Sequence, residues 1–541
     1  MDDTRKRLFL FKIDPVFLII LALGAFLLLF GLDHRPFWQD EAETACLAKN
    51  VLKYGVPRAY DGVNIISQEW GKEYDQDHLW RWSPWLQIYV AAAAFKIGGL
   101  TTYAGRFPFA VMGIACILLV YKFVRRNFGD PAWAYLAALL LTTSVIFLLF
   151  ARQCRYYSLG TLLTLINLYA FRENWQTKTA PALLLVFSAT LIFYTNYLLF
   201  LSYFVPFIFA AFLLYYSEIS LARALKIILG VCIIVIPGLF LFRIQQQAMM
   251  VSLWSFVKDN LDNYFGGFFQ FMFPLPIAVF LAWRWSRSLR RRTGLLQDPT
   301  ERFILFLSLI ILGNILALTP APQCELRYLV HLYPLCVIIL GWVICRAWRY
   351  QKFAGALLAF LLLATNWLYV VPMDWLGLIN RKLYNDQHML SYPVLPLKLY
   401  LTELSSPYPE DVNQNLIRFF QTHAQSGDTI FTTYGDLPLM FYTHCRVLGG
   451  LQAHSTMQQP PDWLVPRWVL RWNRQRDLNE SERVIRQLIS QSGDYKRLTL
   501  PHEDDVFGNR ADPFFHRFIP PIESISPIVI YERTSPARPA L

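Results

Sequence analysis

The chain is dominated by long apolar runs. They fall at 16–32 and near 105–124, 131–150, 155–171, 180–197, 198–216, 226–242, 267–284, 303–319, 328–346 and 353–371. Each is about 17 to 20 residues long, the length a helix needs to cross the hydrocarbon of a bilayer, where no water can satisfy backbone N–H and C=O groups. Eleven spans are therefore expected, and a helical membrane bundle is the only architecture that suits this part of the chain. The composition, 55% hydrophobic and 16% charged, excludes a soluble multidomain protein. The net charge of +12 does not point to nucleic acid, because much of the Lys and Arg occupies short loops between apolar runs.

Charge also sets the orientation. Arg5, Lys6, Arg7 and Lys12 precede the first run, and no small-residue cleavage site follows it, so an uncleaved anchor with its N-terminus inside is expected. The stretch 84–99 (PWLQIYVAAAAFKIGG) is short and contains Lys96. If it lies along the interface instead of crossing, the inner segments hold twenty basic residues and the short outer loops five. The positive-inside rule favours that arrangement, with interfacial helices in the first outer loop. An odd number of spans then places the C-terminal part outside. The expected organisation is a transmembrane module at 1–371 with its first outer loop at 33–104, a connecting arm at 372–408, and an extracytoplasmic α/β domain at 409–541. In that domain a helix is expected at 410–425, a strand at 429–434, a second helix at 480–491, and strands near 464–470, 495–500 and 526–532.

Chemistry concentrates at one level. Asp40 and Glu41, in WQDEA, stand just beyond the first run, where ionised groups beside hydrocarbon face a cavity, a partner or a substrate path. A simpler reading makes them the first turn of an amphipathic helix, since acids favour helix starts, and both readings can hold. Arg152 and Arg155, in ARQCRYY, and Arg327, in ELRYL, lie at the same outer level and are not needed for orientation. A guanidinium fork suits phosphate, although snorkelling or pairing with Glu325 would also account for any one of them.

Other chemistry is weakly represented. The eight cysteines follow no metal-ligand spacing; Cys154 and Cys324 could meet outside the membrane. The sequence implies no cofactor. A divalent metal remains a minor role for Asp75 or Asp77 in the DQD at 75–77, since short acidic runs in loops are usually solvated. His34 and His78 read as surface histidines, and Asn479-Glu480-Ser481 is a formal glycosylation sequon of little weight.

These segments together resemble a known family. WQDEAETACLAKNVLKYGVPRAYDG is similar to the first-loop motif of the GT-C glycosyltransferases related to protein O-mannosyltransferases and lipid A aminoarabinose transferases. SPWLQIYVAAAAFKIGG and AGRFPFAVMGIACILLVYKFVRRNFGD resemble their juxtamembrane helix and second span. ARQCRYYSLGTLL resembles the AREARPYAL-type second outer loop, and ELRYLVHLYPL the RYLLP-type start of a late span. GDTIFTTYGDLPLMFYTHCRVLGG and FGNRADPFFHRF resemble parts of the outer domain of bacterial members. Gln153 stands where the loop pattern has an acid, Tyr156 where it has proline, and Asn196 where many relatives carry histidine.

The resemblance implies a bacterial polyprenyl-phosphate-sugar-dependent transferase in the cytoplasmic membrane. It would act at the outer face with inversion, on a glycan, lipid or protein acceptor. Asp40 is then the expected base, and Glu41 is expected to orient Asp40, a basic group or the acceptor. Arg152, Arg155, Arg327 and Tyr328 would receive the donor phosphate, and Tyr156, Tyr157 and Glu325 are possible substrate contacts. Trp80, Trp82 and Trp85 are expected chiefly as interfacial anchors. Asn509, Arg510 and Asp512 of the outer domain could touch a glycan. The competing readings are a transporter or flippase of a lipid-linked glycan and a non-catalytic scaffold; paired halves, interrupted helices and charges near the bilayer midplane would favour the transporter.

Overall fold

The computed structural model describes residues 14–173, 175–249, 257–290, 297–321, 324–378, 396–405, 411–452, 459–467, 475–492, 494–505, 510–511, 516 and 526–534. The first helix, α1 (Pro15–Leu29), is capped by Asp14, whose carboxylate accepts from Val16 and Phe17 N–H. The loop after α1 follows with α2 (Gln39–Tyr54) and α3 (Leu86–Gly98). At 13 residues, α3 is about 20 Å long and too short to cross. It packs between α2 and the long α4 (Thr102–Phe128).

The bundle continues with α5 (Pro131–Thr143), α6 (Val145–Ala151), α7 (Tyr157–Arg172), α8 (Thr179–Thr195), α9 (Tyr197–Tyr215), α10 (Leu221–Leu241) and α11 (Ile244–Met249). Then come α12 (Val257–Phe271), α13 (Leu275–Arg290), α14 (Pro299–Leu318), a 3-10 turn at Leu326–Leu332, α15 (Tyr333–Tyr350), α16 (Lys352–Ala364) and α17 (Trp367–Trp375). Each of the eleven apolar runs falls on a helix or helix pair, and the chain is a multi-pass membrane protein. Among the described residues, five helices are long and apolar enough to cross singly, or up to eight if each bent pair is one span.

Three runs expected as single spans are broken. The run 131–150 bends by 63° at Ser144, whose extended backbone and hydroxyl cap α6. The run 267–284 falls within a helix pair bent by 104° just before Pro274, which has no N–H to continue a helix. The run 353–371 bends by 86° at Thr365 and Asn366. Ion pairs gather the ends remote from the loop after α1: Arg126 with Glu173 at 2.8 Å, Arg349 with Asp130 at 2.5 Å and Arg284 with Glu301 at 2.5 Å.

Beyond Leu378, the described part of the segment expected as an arm is α18 (Pro396–Ser405), docked on the bundle through buried Tyr400 and Leu404. The C-terminal region adds α19 (Val412–His423), β1 (Thr429–Thr432), α20 (Asp436–Tyr442), β2 (Arg446–Gly449), β3 (Trp463–Val465), α21 (Gln475–Ser492), β4 (Tyr495–Glu503) and β5 (Pro527–Arg533). The strands form one sheet in the order β2-β1-β3-β5-β4, with β1 parallel to both neighbours and the β3–β5–β4 side antiparallel. Strand β2 was not expected, and β3 ends at Val465 within the 464–470 read from sequence, of which 468–470 lie outside the described residues. One apolar core joins α19, α20 and the sheet to α2, α3 and Trp80 of the loop after α1. The sheet is therefore seated directly on the loop that carries Asp40.

Candidate active site

Trp38 is extended, and α2 starts at Gln39, so Asp40 and Glu41 occupy its first turn, where acids are favoured by the helix dipole. Adjacent residues on a helix point about 100° apart. The two carboxylates accordingly face different partners.

Asp40 pairs with Arg327, which the 3-10 turn Leu326–Leu332 holds at the start of α15. Glu41 turns into the protein and is fully buried. It accepts from Arg106 Nε at 2.8 Å and Nη2 at 2.5 Å, and from the Cys154 backbone N–H at 2.8 Å. Arg106 also donates to the carbonyls of Leu32, Arg35 and Pro36, at 2.7, 2.9 and 3.1 Å. This one guanidinium thus fixes the path from α1 to α2. Arg106 was not singled out from the sequence, although an arginine within the first turns of a long apolar span is a recognisable signal.

The α6–α7 turn closes the other wall. Arg155 donates to Glu43 at 2.6 Å and to the Thr44 hydroxyl at 2.9 Å, while Gln68 donates to the second Glu43 oxygen at 2.7 Å. Its Nε and the hydroxyls of Tyr156 and Tyr157 are buried without a hydrogen-bond partner among the described residues. Tyr157 lies within the electrostatic reach of Asp40, Arg327 and Arg155. The Arg327 guanidinium sits 5.7 Å from the centre of the Tyr328 ring and feels the charge of Glu325. Buried polar atoms are nearly always paired, and here three that are unpaired among the described residues lie beside Arg155 and Arg327.

Arg152 does not join this group. Its Nη1 donates to Leu27 O at 3.2 Å and Tyr400 Oη at 2.8 Å, and its Nη2 to Phe30 O at 2.7 Å and Gly31 O at 2.8 Å. It therefore caps the end of α1, whose last carbonyls would otherwise be unsatisfied. The chain leaves through Gly31 at φ +63°, a conformation that favours glycine. Gln153, between the two arginines, accepts from the Trp38 indole N–H at 2.6 Å, and so ties this turn to the residue that precedes α2.

The other sequence expectations resolve as follows. Asp75 is committed to its own loop, accepting from Leu79 N–H at 2.9 Å and pairing with Arg81 at 2.8 Å. Cys154 and Cys324 are not joined, and all eight cysteines are free thiols. Trp80 is fully buried rather than interfacial, donating to Ser83 at 2.9 Å. Asn196 caps α9 by accepting from Leu199 N–H at 3.1 Å. Asn509 and Asp512 lie outside the described residues; Arg510 stacks 5.0 Å from the Trp38 ring centre.

The C-terminal region grips α2. Gln39 donates to Asp436 at 2.8 Å, Phe37 N–H donates to the Tyr442 hydroxyl at 3.0 Å, and Tyr434 lies near enough to Asp40 to feel its charge. Burial raises the Asp436 carboxyl to about 6, against the hydrogen bonds from Gln39 and Gln452. An acid whose folded-state pKa is raised holds its proton more tightly when folded. Stability should then fall as pH rises from about 4 to about 6, by on the order of 3 kcal/mol, and level off above that. Thermal unfolding of Asp436→Asn should lack this slope, and an unchanged slope would show that Asp436 is not its source.

The fold and site define a class: a multi-pass membrane protein with the GT-C fold, bearing a paired carboxylate and arginines at one end of its bundle. Residues 83–240 match the family described as dolichyl-phosphate-mannose-protein mannosyltransferase. The structure is similar to ArnT from Cupriavidus metallidurans in the apo state, with a TM-score of 0.50 and 13% identity over 97% of this chain and 99% of that one. ArnT bound to undecaprenyl phosphate gives a TM-score of 0.49 at 13% identity over the same shares. An uncharacterized protein of Aquifex aeolicus (strain VF5) is 26% identical over 165 residues, which is 30% of each chain's length.

Proposed function

We propose that this protein is a glycosyltransferase that moves a sugar from a polyprenyl-phosphate donor to an envelope glycan, lipid or protein. It works at the outer face of the cytoplasmic membrane, with Asp40 as base. The observation that carries this reading is the pairing of Asp40 with Arg327 beside the unpartnered Arg155 Nε and the hydroxyls of Tyr156 and Tyr157. A phosphate is the group that satisfies such a set of donors, since it supplies several strong acceptor oxygens to guanidinium forks. The match of 83–240 to a family named for a lipid-phosphate sugar donor agrees with it. The basic loops gathered at the far end of α4 support an outer location for the Asp40 end.

The chemistry follows from the pairing. Arg327 engages the Asp40 carboxylate. A donor phosphate draws the Arg327 fork to itself, and Asp40 is released to take the acceptor's proton. The acceptor oxygen then bonds to the anomeric carbon as the bond from that carbon to the phosphate oxygen breaks, and the acceptor proton passes to Asp40. The electron pair leaves with the phosphate, whose charge is held by Arg327 and Arg155 with the two tyrosine hydroxyls. Attack from the side opposite the phosphate inverts the anomeric centre. An aspartate is a weak base for an alcohol, so proton transfer is late and charge stabilisation lowers much of the barrier.

Two substitutions test the phosphate seat. Arg327→Ala should raise KM for the donor and lower kcat, with kcat/KM down by about 10- to 150-fold, as expected for losing a charged hydrogen bond. Tyr157→Phe should raise donor KM by about threefold to tenfold with little change in stability, because its hydroxyl has no partner to lose. Steady-state kinetics with a polyprenyl-phosphate sugar check both. Unchanged donor KM in Tyr157→Phe together with unchanged turnover in Arg327→Ala would remove the phosphate from this seat.

A further inference from the structure

Arg155 meets Glu43 through a single nitrogen. Its Nη1 donates to Glu43 Oε1 at 2.6 Å and to the Thr44 hydroxyl at 2.9 Å, and its Nε is buried without a partner among the described residues. A guanidinium beside a carboxylate commonly closes on it with two parallel N–H bonds, one to each oxygen. Here the second oxygen is already taken, because the Gln68 side-chain amide donates to Glu43 Oε2 at 2.7 Å. The pair is sheltered, with side-chain exposures of 14% for Arg155 and 7% for Glu43, so the choice of partner carries more weight than it would at the surface.

The backbone around Gln68 is held firmly. The turn 67–73 wraps Glu73, which is fully buried. The Glu73 oxygens accept from the Gln68 N–H, from the Glu69 N–H at 2.6 Å and from the Ser67 hydroxyl at 2.7 Å, while Ser67 Oγ in turn accepts from the Gly71 N–H at 2.8 Å. Trp70 sits at φ +62°, a conformation that bulky residues rarely adopt, and its N–H donates to Leu451 O at 3.2 Å. The turn is thus tied to the C-terminal region as well as to its own buried acid. The Gln68 side chain reaches from this fixed backbone to α2.

We infer that Gln68 is a positioning residue that keeps the Arg155 fork open. By holding Glu43 Oε2 it stops this carboxylate from closing on Arg155 with both oxygens, and it leaves Arg155 Nε for the donor phosphate. The inference rests on the reading that this site binds a polyprenyl phosphate. Glu43 supplies the charge that keeps Arg155 in the wall, and Gln68 limits how much of the guanidinium Glu43 occupies. Without the Gln68 amide, Glu43 turns its second oxygen onto Nε, and a donor must break a two-bond ion pair before its phosphate is received. Such competition weakens ground-state and transition-state binding alike, so it shows in KM and not in kcat.

Polyprenyl phosphate binding to the purified full chain, with steady-state kinetics on a polyprenyl-phosphate sugar, tests this in wild type, Gln68→Met, Glu43→Gln and the double variant. Methionine keeps the length of the side chain and removes the amide. Gln68→Met should weaken polyprenyl phosphate binding and raise donor KM about tenfold, as for losing a charged hydrogen bond. Its kcat should change by less than about twofold. In the Glu43→Gln background, where residue 43 offers a single acceptor oxygen, the same change should cost less than about twofold in binding and in KM, because the two side chains act as one unit. Gln68→Lys still donates to Glu43 and should stay near wild type in both, which keeps the test open if Gln68→Met does not fold. A residue that merely braces the loop would cost the same in both backgrounds, and that result would overturn the inference, as would a tenfold loss in Gln68→Lys. Arg155→Gln separates the two readings. If it leaves polyprenyl phosphate binding unchanged, the phosphate is not received here and the reading of the site fails together with the inference; if it weakens binding while Gln68→Met does not, the inference alone fails.

Discussion

Replacing Asp40 with asparagine should reduce sugar transfer by about 10²- to 10⁴-fold, the range for losing a general base. Donor affinity should be no weaker, because the substitution removes the carboxylate that competes with the donor phosphate for Arg327. Most losses of a polar site residue weaken binding and turnover together, so opposite behaviour of the two is diagnostic. Kinetics and lipid binding measured on one preparation of Asp40→Asn and wild type decide the point. Equal turnover in the two would exclude Asp40 as the base.

Arg106→Ala, at the start of α4, should be the most destabilising single change among the residues that hold the 33–104 loop. It strands the Glu41 carboxylate at zero exposure and frees the carbonyls of Leu32, Arg35 and Pro36 at once. Breaking a buried pair in this way costs about 3–5 kcal/mol. Lysine should not rescue it, since an ammonium cannot reproduce the fork that grips both Glu41 oxygens. The double change Arg106→Ala with Glu41→Gln should recover part of the loss, because no charge is then left unpaired. Thermal unfolding in detergent measures all three. If Glu41→Gln instead abolished transfer with stability intact, Glu41 would belong to the chemistry and not to the support of α2.

The helical bundle was legible because hydrocarbon imposes a length and a composition on anything that crosses it, and the eleven runs stand out for that reason. The breaks at Ser144, Pro274 and Thr365 were not, because hydropathy over a window does not register a change of direction. Asp40 and Arg327 lie 287 residues apart. They could be placed together only through their shared outer level and the family resemblance. The same reasoning misplaced Arg152: charge patterning locates a guanidinium at a level of the membrane but not which way it turns, and the end of α1 claimed it. For Glu41 the sequence left its partner open among Asp40, a basic group and the acceptor, and helical geometry turns it inward to the basic group, Arg106. The contact between Gln39 and Asp436 is likewise non-local, arising from a core that the 33–104 loop shares with the sheet, and no local pattern announces it. Strand β2 is only four residues long, too short for alternation to declare itself.

The central claim is that this end of the bundle cleaves a sugar from its lipid phosphate. Purified protein reconstituted in vesicles with a polyprenyl phosphate carrying a radiolabelled sugar, together with an envelope extract as acceptor, tests that claim most directly. The account predicts that label passes to the extract while one polyprenyl phosphate is released for each sugar moved, and that Asp40→Asn stops both. Labelled lipid crossing the bilayer intact, at the same rate in wild type and Asp40→Asn, would contradict it and make the chain a transporter.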